Sequence, residues 1–191
     1  MSFISPIETY GGYLIKRDDM FSLGEIIKGG KVRQCLKIVY ENLDEIKSKY
    51  NGGLITGCGL PSPQSTIVSA VSKYFGLKCV VVSPIYPNSK VDVNRINVSL
   101  SQKLGAKIYG VGNFNPSGYK LDVKKLKEEL GYYEIKFGMN SESVIDTTSH
   151  QVSNLPNEEL ENLVVIAGSG LNLLGILKGI VKYKKKVNNV Y

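Results

Sequence analysis

A single histidine in 191 residues excludes any metal site built from several imidazoles, and a serine–histidine or cysteine–histidine pair has only His150 to draw on. Hydrolase chemistry therefore starts weak. Cysteine is nearly as sparse. Cys35, Cys58 and Cys79 are odd in number, far apart and set among apolar neighbours with no CxxC spacing, which predicts reduced, buried thiols rather than a disulfide frame or a zinc site. No apolar run approaches the length of a membrane span, and Met1-Ser2-Phe3-Ile4-Ser5-Pro6 lacks a basic segment followed by an apolar one. No membrane partner and a cytoplasmic location are expected. Acidic residues are the minority, 17 against 24 lysines and arginines, for a net charge of +7. That permits attraction to phosphate-bearing partners, but part of it lies in the tail Lys182-Tyr183-Lys184-Lys185-Lys186, and without a recognisable module nucleic-acid binding is not expected.

What is present is an ordinary core-forming composition, 42% hydrophobic and 21% charged, in a chain long enough for one or two domains. Tyr13 to Lys16 reads as a short strand and Asp18 to Gly30 as an irregular loop. Val32, Cys35, Leu36, Val39, Leu43 and Ile46 then recur at spacings of three and four, predicting one helix from Lys31 to about Lys49. Leu54-Ile55-Thr56 reads as a buried strand. Ser62 is expected as N-cap and Pro63 as first residue of a helix burying Ile67, Val68, Val71 and Phe75, which Gly76 ends. Lys78 to Ser83 is a clearer strand, its valines suiting burial on both faces as in a parallel sheet. A helix from Asn88 to Leu104, with Val91, Ile96, Leu100 and Leu104 inward, precedes a strand over 106 to 111. Gly112 to Lys120 reads as a loop and Asp122 as the start of a short helix burying Val123, Leu126 and Leu130. Tyr133 to Phe137 reads as a strand, and Gly138 to Glu161 is unassigned beyond a helical turn or two. Leu163 to Ala167 reads as a buried strand, and Leu171 to Tyr183 as a helix burying Leu173, Leu174, Leu177, Ile180 and Val181. Val187 to Tyr191 reads as a further strand. Alternation of strand and helix predicts an α/β class with a largely parallel sheet, helices on both faces, in three layers.

Three stretches carry chemistry. In Lys28-Gly29-Gly30-Lys31-Val32-Arg33-Gln34 two glycines leave the backbone before Lys31 open to close approach by a ligand at a helix start, where anions are favoured. A lysine near apolar surface loses its charge more readily, and the neutral amine condenses with a carbonyl. A solvated lysine after a Gly-Gly turn is the plainer reading of the same residues. The turn Gly168-Ser169-Gly170-Leu171-Asn172 falls between a strand and a helix, where free N–H groups hold a phosphate. Leucine at 173 removes the third glycine of a dinucleotide fingerprint, which argues against NAD, and Val32 stands where a P-loop needs a hydroxyl, which argues against an ATPase. Ser62, Gln64, Ser65 and Thr66, at a helix start, can seat a carboxylate, or simply cap the helix.

Lys16-Arg17-Asp18-Asp19, then Gly-Gly-Lys-Val-Arg, then Gly59-Leu60-Pro61-Ser62, then Gly168-Ser169-Gly170 resembles, in this order, the fold-type-II pyridoxal-phosphate-dependent enzymes, those with the tryptophan synthase beta-like fold. The nearest branch is that of aminocyclopropane-carboxylate deaminase and D-cysteine desulfhydrase. The resemblance implies pyridoxal 5'-phosphate as cofactor, bound as an internal aldimine by Lys31. It also implies a phosphate cradle at Gly168, Ser169, Gly170 and Asn172, with Ser62 contacting substrate and cofactor. Gly30 and Pro63 stand where the family has asparagines, and Gln64 is the side chain able to replace the second. By that resemblance the chain is expected to be shorter than family members and to end before the segment that supplies the ring-nitrogen partner and completes the second domain.

Together these imply a pyridoxal-phosphate-dependent lyase or deaminase of amino-acid metabolism, acting on an amino acid or related amine, with Lys31 and Ser62 catalytic. Gln64 would join the cofactor contacts, while Ser62, Gln64, Ser65 and Thr66 would bind the substrate. Residues 1–50 and 150–191 would form parts of the cofactor domain and 51–149 a smaller α/β domain. A homodimer or a complementary chain is the expected partner. The competing expectation is a binding module of the same fold with impaired catalysis, or one part of a larger assembly.

Overall fold

The computed structural model describes residues 3–85, 94–111 and 116–191, the last with side chains from residue 120 onward. In chain order the first elements are strands β1 (Ile7–Tyr10), β2 (Tyr13–Lys16), β3 (Ser22–Leu23) and β4 (Ile27–Lys28), then helices α1 (Gly30–Glu41) and α2 (Leu43–Lys49). There follow β5 (Gly53–Gly57), α3 (Gln64–Tyr74), β6 (Lys78–Ser83), α4 (Ile96–Lys103), β7 (Lys107–Gly110), α5 (Pro116–Leu130) and β8 (Tyr133–Glu134). The last are α6 (Glu142–His150), β9 (Leu160–Leu163), α7 (Leu171–Lys182) and β10 (Val187–Val190). The chain forms two compact units, Met1–Ile38 with Asn140–Tyr191, and Val39–Met139.

The second unit holds a sheet in the order β7-β6-β5-β8, every neighbouring pair parallel. Alternation along β6 decides its layers, since successive side chains of a strand point to opposite faces. Val80 and Val82 join Ile55 in packing on Val123 and Leu126 of α5, whereas the Cys79 thiol faces the Ser69 hydroxyl of α3. Helices therefore cover both faces, the arrangement expected from the valine run. Each of these apolar side chains contributes roughly 1.5–3 kcal/mol by leaving water. The chain steps outward from β5 to β6 to β7 and returns to lay β8 on the other side of β5, so the strand order reverses between β5 and β8.

The first unit contains two small hairpins, β1 with β2 and β3 with β4, and a parallel pair of β9 with β10. Its helices α6 and α7 press closely together. A Cβ at Gly175 would lie 2.6 Å from the Thr148 Cβ, and one at Gly179 would lie 2.4 Å from the Ser149 carbonyl oxygen. Only glycine at these two positions, one turn apart, allows so close an approach.

Several expectations are corrected. The helix expected over 31 to 49 is broken at Asn42 into α1 and α2, although Val32, Cys35, Leu36, Val39 and Ile46 are buried as expected. Helix α3 starts at Gln64 with Pro63 as its N-cap, one residue later than read from the capping pattern. Asn88 and Val91 lie outside the described residues; α4 begins at Ile96, which is 79% exposed, and buries Val98 and Ser101, with Leu100 and Leu104 half-buried. Pro116 to Lys120 belongs to α5, with the proline as its first residue, where its missing N–H is harmless. The strand read over 133 to 137 is only Tyr133–Glu134, and 142 to 150 is a full helix whose N-cap Ser141 accepts from the Val144 N–H. The strand expected at 163 to 167 is Leu160–Leu163, because its parallel partner β10 pairs in that register, and Val164 and Ile166 are exposed. Helix α7 departs from its expected inner face: Gly175 and Gly179 face inward and Leu173 and Ile180 are half-buried, while Leu174, Leu177 and Val181 face out. Apolar periodicity marks a stripe but not its partner, and here the close glycine contact took the inner face. The three cysteines are buried and none is in a disulfide.

Candidate active site

Lys31 is the second residue of α1 and is exposed, the solvated one of the two readings of its sequence. The two glycines before it have different jobs. Gly29 takes φ +107, a conformation side chains disfavour, and its N–H donates to the Phe21 carbonyl at 2.8 Å. Gly30 leaves room: a Cβ there would meet Asp18 Oδ2 at 2.6 Å. The Asp18 carboxylate thus occupies the space that a side chain at 30 would need.

The residues after Lys31 tether its helix on two sides. Arg33, only 1% exposed, makes a two-pronged contact with Asp18, Nη1 to Oδ1 at 2.9 Å and Nη2 to Oδ2 at 3.1 Å, and Nη1 also donates to Ser5 Oγ at 2.8 Å. Its guanidinium lies 5.7 Å over the Phe21 ring. Burial pushes the Asp18 carboxyl up, but the Arg33 hydrogen bonds and charge, with Ser5 and Lys16, outweigh burial and hold it below the usual carboxylate value. Gln34 turns the other way, its Nε2 donating to Asn172 Oδ1 at 3.0 Å and to Thr148 Oγ1 at 3.2 Å. The helix that carries Lys31 is thereby joined to the first turn of α7.

The turn before α7 leaves its backbone open. Gly170 caps α7 with φ +83, the first N–H groups of the helix point out of its end without intrahelical partners, and a Cβ at Gly168 would meet nothing within 4 Å. Lys31, Gln34, Gly168 and Asn172 line one cavity of about 490 Å³ within the first unit. Ser169 and Gly170 flank it in sequence and are not among its lining residues. Lys16, Asp18 and Arg33 line its polar side, and Leu155, Leu163 and Ile176 are among its apolar walls.

The other sequence-selected residues belong to the second unit. Ser62 Oγ accepts from the Gln64 N–H at 3.3 Å, and Ser62 remains partly exposed. Gln64, Ser65 and Thr66 are buried. The Gln64 amide is committed within its own unit, donating to Thr56 Oγ1 at 2.8 Å and the Lys136 carbonyl at 3.1 Å, and accepting from the Gly138 N–H at 2.8 Å. It stitches the end of β5 to the segment after β8, where the strand order reverses. Ser65 and Thr66 donate back to the carbonyls of Ser62 and Pro63. Burial pushes the nearby Cys58 thiol up to about 11, against opposing contacts from Ser65 and Ser62.

Gln34 and Thr148 were not singled out from the sequence. The available signal was a glutamine on the otherwise apolar stripe of α1, three residues after Lys31. His150, expected as the one histidine open to nucleophile chemistry, pairs with the Tyr183 hydroxyl.

No family model matches the chain. In sequence it is 28% identical over 179 residues to the O-seryl-dTMP PLP-dependent decarboxylase of Salmonella phage ViI, a match covering 86% of this chain and 41% of that protein. Among solved structures, an ACC deaminase homologue superimposes with a TM-score of 0.74 at 23% identity, covering 91% of this chain and 53% of the other. A pyridoxal 5'-phosphate-dependent aspartate racemase gives 0.71 at 19%, covering 98% and 56%. Threonine deaminase isoform 2 from Solanum lycopersicum gives 0.72 at 16%, covering 96% and 49%. The chain thus spans less than half of the curated relative and about half of each solved neighbour. By these likenesses the α/β fold of the chain is that of the fold-type-II pyridoxal-phosphate-dependent enzymes.

Proposed function

We propose that the chain is a pyridoxal-phosphate-dependent enzyme, or the portion of one that holds the cofactor, acting on an amino acid or related amine with lyase or deaminase chemistry. The observation that carries this reading is the cavity that Lys31, Gly168 and Asn172 line together, braced by the Gln34–Asn172 hydrogen bond. The residues fit the group: an exposed amine for its aldehyde, and unobstructed space at Gly168 beside a helix N-terminus for its phosphate. Pyridoxal phosphate supplies, when bound, an electron sink for negative charge developing at the substrate Cα.

This chain's own residues do the rest. Lys31 would hold the cofactor and, once released by the substrate amine, move a proton at the substrate Cα. Gly168, Ser169, Gly170 and Asn172 would hold the phosphate, and Leu163 and Ile176 would keep water from one side of the cavity. Residues 1–50 and 150–191 are proposed as the cofactor domain and 51–149 as the smaller domain. There Ser62, the partly exposed member of its group, is the side chain best able to meet a substrate carboxylate, while Ser65 and Thr66 act through backbone N–H groups and Gln64, whose N–H is given to Ser62 Oγ, by shaping the turn. A second copy of the chain, or a complementary chain, is the proposed partner.

The test is optical. Protein mixed with pyridoxal phosphate should gain the visible absorbance of a lysine-bound pyridoxal, borohydride should fix the label on Lys31, and Lys31→Ala should abolish both. Absorbance that survives in Lys31→Ala would overturn the assignment. Release of ammonia, a keto acid or carbon dioxide across an amino-acid panel then separates the reaction types.

A further inference from the structure

The polar wall of the cavity holds one cation more than the proposed function uses. Among the described residues four charged side chains line it: Lys16, Asp18, Lys31 and Arg33. Asp18 and Arg33 cancel each other in their two-pronged pair, and Lys31 is taken by the cofactor in the reading above. Lys16 is left over. Its Nζ donates to the Ser5 carbonyl at 2.9 Å and to Asn154 Oδ1, both neutral, and the third ammonium N–H has no acceptor among the described residues. Asp18, whose charge acts on Lys16, already accepts from Arg33 and from the Ser5 hydroxyl at 2.7 Å. The Ser5 carbonyl that fixes Lys16 is itself held, since it also accepts from Asn154 Nδ2 at 3.0 Å, while the Ser5 N–H donates to Gln151 Oε1 at 2.9 Å. Lys16 is therefore a half-buried, positioned cation with one donor to spare, facing a cavity.

Resting on the proposed cofactor function, we propose that Lys16 binds a second acidic group carried on the side chain of the substrate, so that the site takes an amino acid with an anionic side chain. A carboxylate and a phosphate ester share the required chemistry, an oxygen anion able to accept the free Lys16 N–H in a partly desolvated setting. Burial, opposed by the Asp18 charge and reinforced by that of Arg33, pulls the Lys16 ammonium down to about 8, which fits a cation short of anionic partners.

The experiment titrates pyridoxal-phosphate-loaded protein with L-serine, L-aspartate and O-phospho-L-serine, following the change in visible absorbance. At least one of the two acidic ligands is expected to bind about tenfold or more tightly than L-serine, and which one identifies the anion. Lys16→Met should remove that preference and leave L-serine binding and the ligand-free absorbance unchanged. Lys16→Arg should keep most of the preference, which separates loss of charge from loss of folding. Equal affinity for all three ligands in the unaltered protein, or a preference that survives Lys16→Met, overturns the site. If loaded protein shows no visible absorbance, the cofactor reading fails instead. The same ligands are then compared by calorimetry on the unloaded chain, where a preference that depends on Lys16 supports the site and its absence overturns it.

Discussion

At the scale of the residue, Asp18 is the side chain on which the start of α1 depends. It fills the space beside Gly30 and neutralises a buried arginine. Asp18→Asn should destabilise the protein by roughly 1–3 kcal/mol, less than the loss of a fully buried pair because the Asp18 side chain is 46% exposed. The sign with pH follows from its lowered pKa. The contribution is complete above the ordinary carboxylate value near 4 and is lost as pH falls through the lower folded value. Urea titrations of both proteins should therefore converge on acidification, and a gap that persists or widens would contradict the assignment. Gly30→Asn, which installs the residue that the resembled family carries, should cost about 1–3 kcal/mol through its clash with Asp18. Cys58 works at the other end of the scale. With its thiol held up to about 11 against an ordinary value near 9, the unfolded chain releases the proton first, so stability should fall as pH rises from 9 to 11. Replacing Cys58 with alanine should flatten that decline in thermal denaturation.

At the scale of the element, α6 and α7 are joined through Gly175 and Gly179 rather than through interdigitating leucines. A methyl group at 179 has nowhere to go, because its nearest neighbour is the Ser149 backbone oxygen at 2.4 Å. Gly179→Ala should thus destabilise by about 1–3 kcal/mol, whereas Gly168→Ala, where a Cβ meets nothing within 4 Å, should change folding little. The pair also separates structure from ligand binding: Gly168→Ala should weaken pyridoxal phosphate retention by narrowing the cradle, measurable by dialysis. Equal effects of the two substitutions on stability would refute the close-packing account.

For the whole molecule, the outward turn of α7 has a consequence for assembly. Leu174, Leu177 and Val181 are 51%, 42% and 80% exposed, and Val164 and Ile166 are 78% and 91% exposed in the same unit. Apolar surface of this kind is seldom left in water. Light scattering over a range of concentrations should detect self-association that Val181→Asp weakens, and a strict monomer at high concentration would contradict it. No helix among the described residues is long and apolar enough to cross a membrane.

Much of this protein was legible in its sequence because the signals were local. The valine run of Lys78 to Ser83 required a strand buried on both faces, the spacing from Val32 to Val39 required a helix, and glycines beside Lys31 and before Asn172 marked the two ends of the candidate site. What the sequence left open were questions of partnership between distant residues. Gln34 looks like an unremarkable position until Thr148 and Asn172, more than a hundred residues away, come within hydrogen-bond reach. Gln64 reads as a ligand contact until the segment after β8 arrives to claim its amide. The leucines of α7 read as core because periodicity records a stripe, while the face that is buried depends on which surface α6 can approach. Local chemistry therefore determined the elements and the reactive groups, and tertiary packing alone decided which of those groups remained free to act.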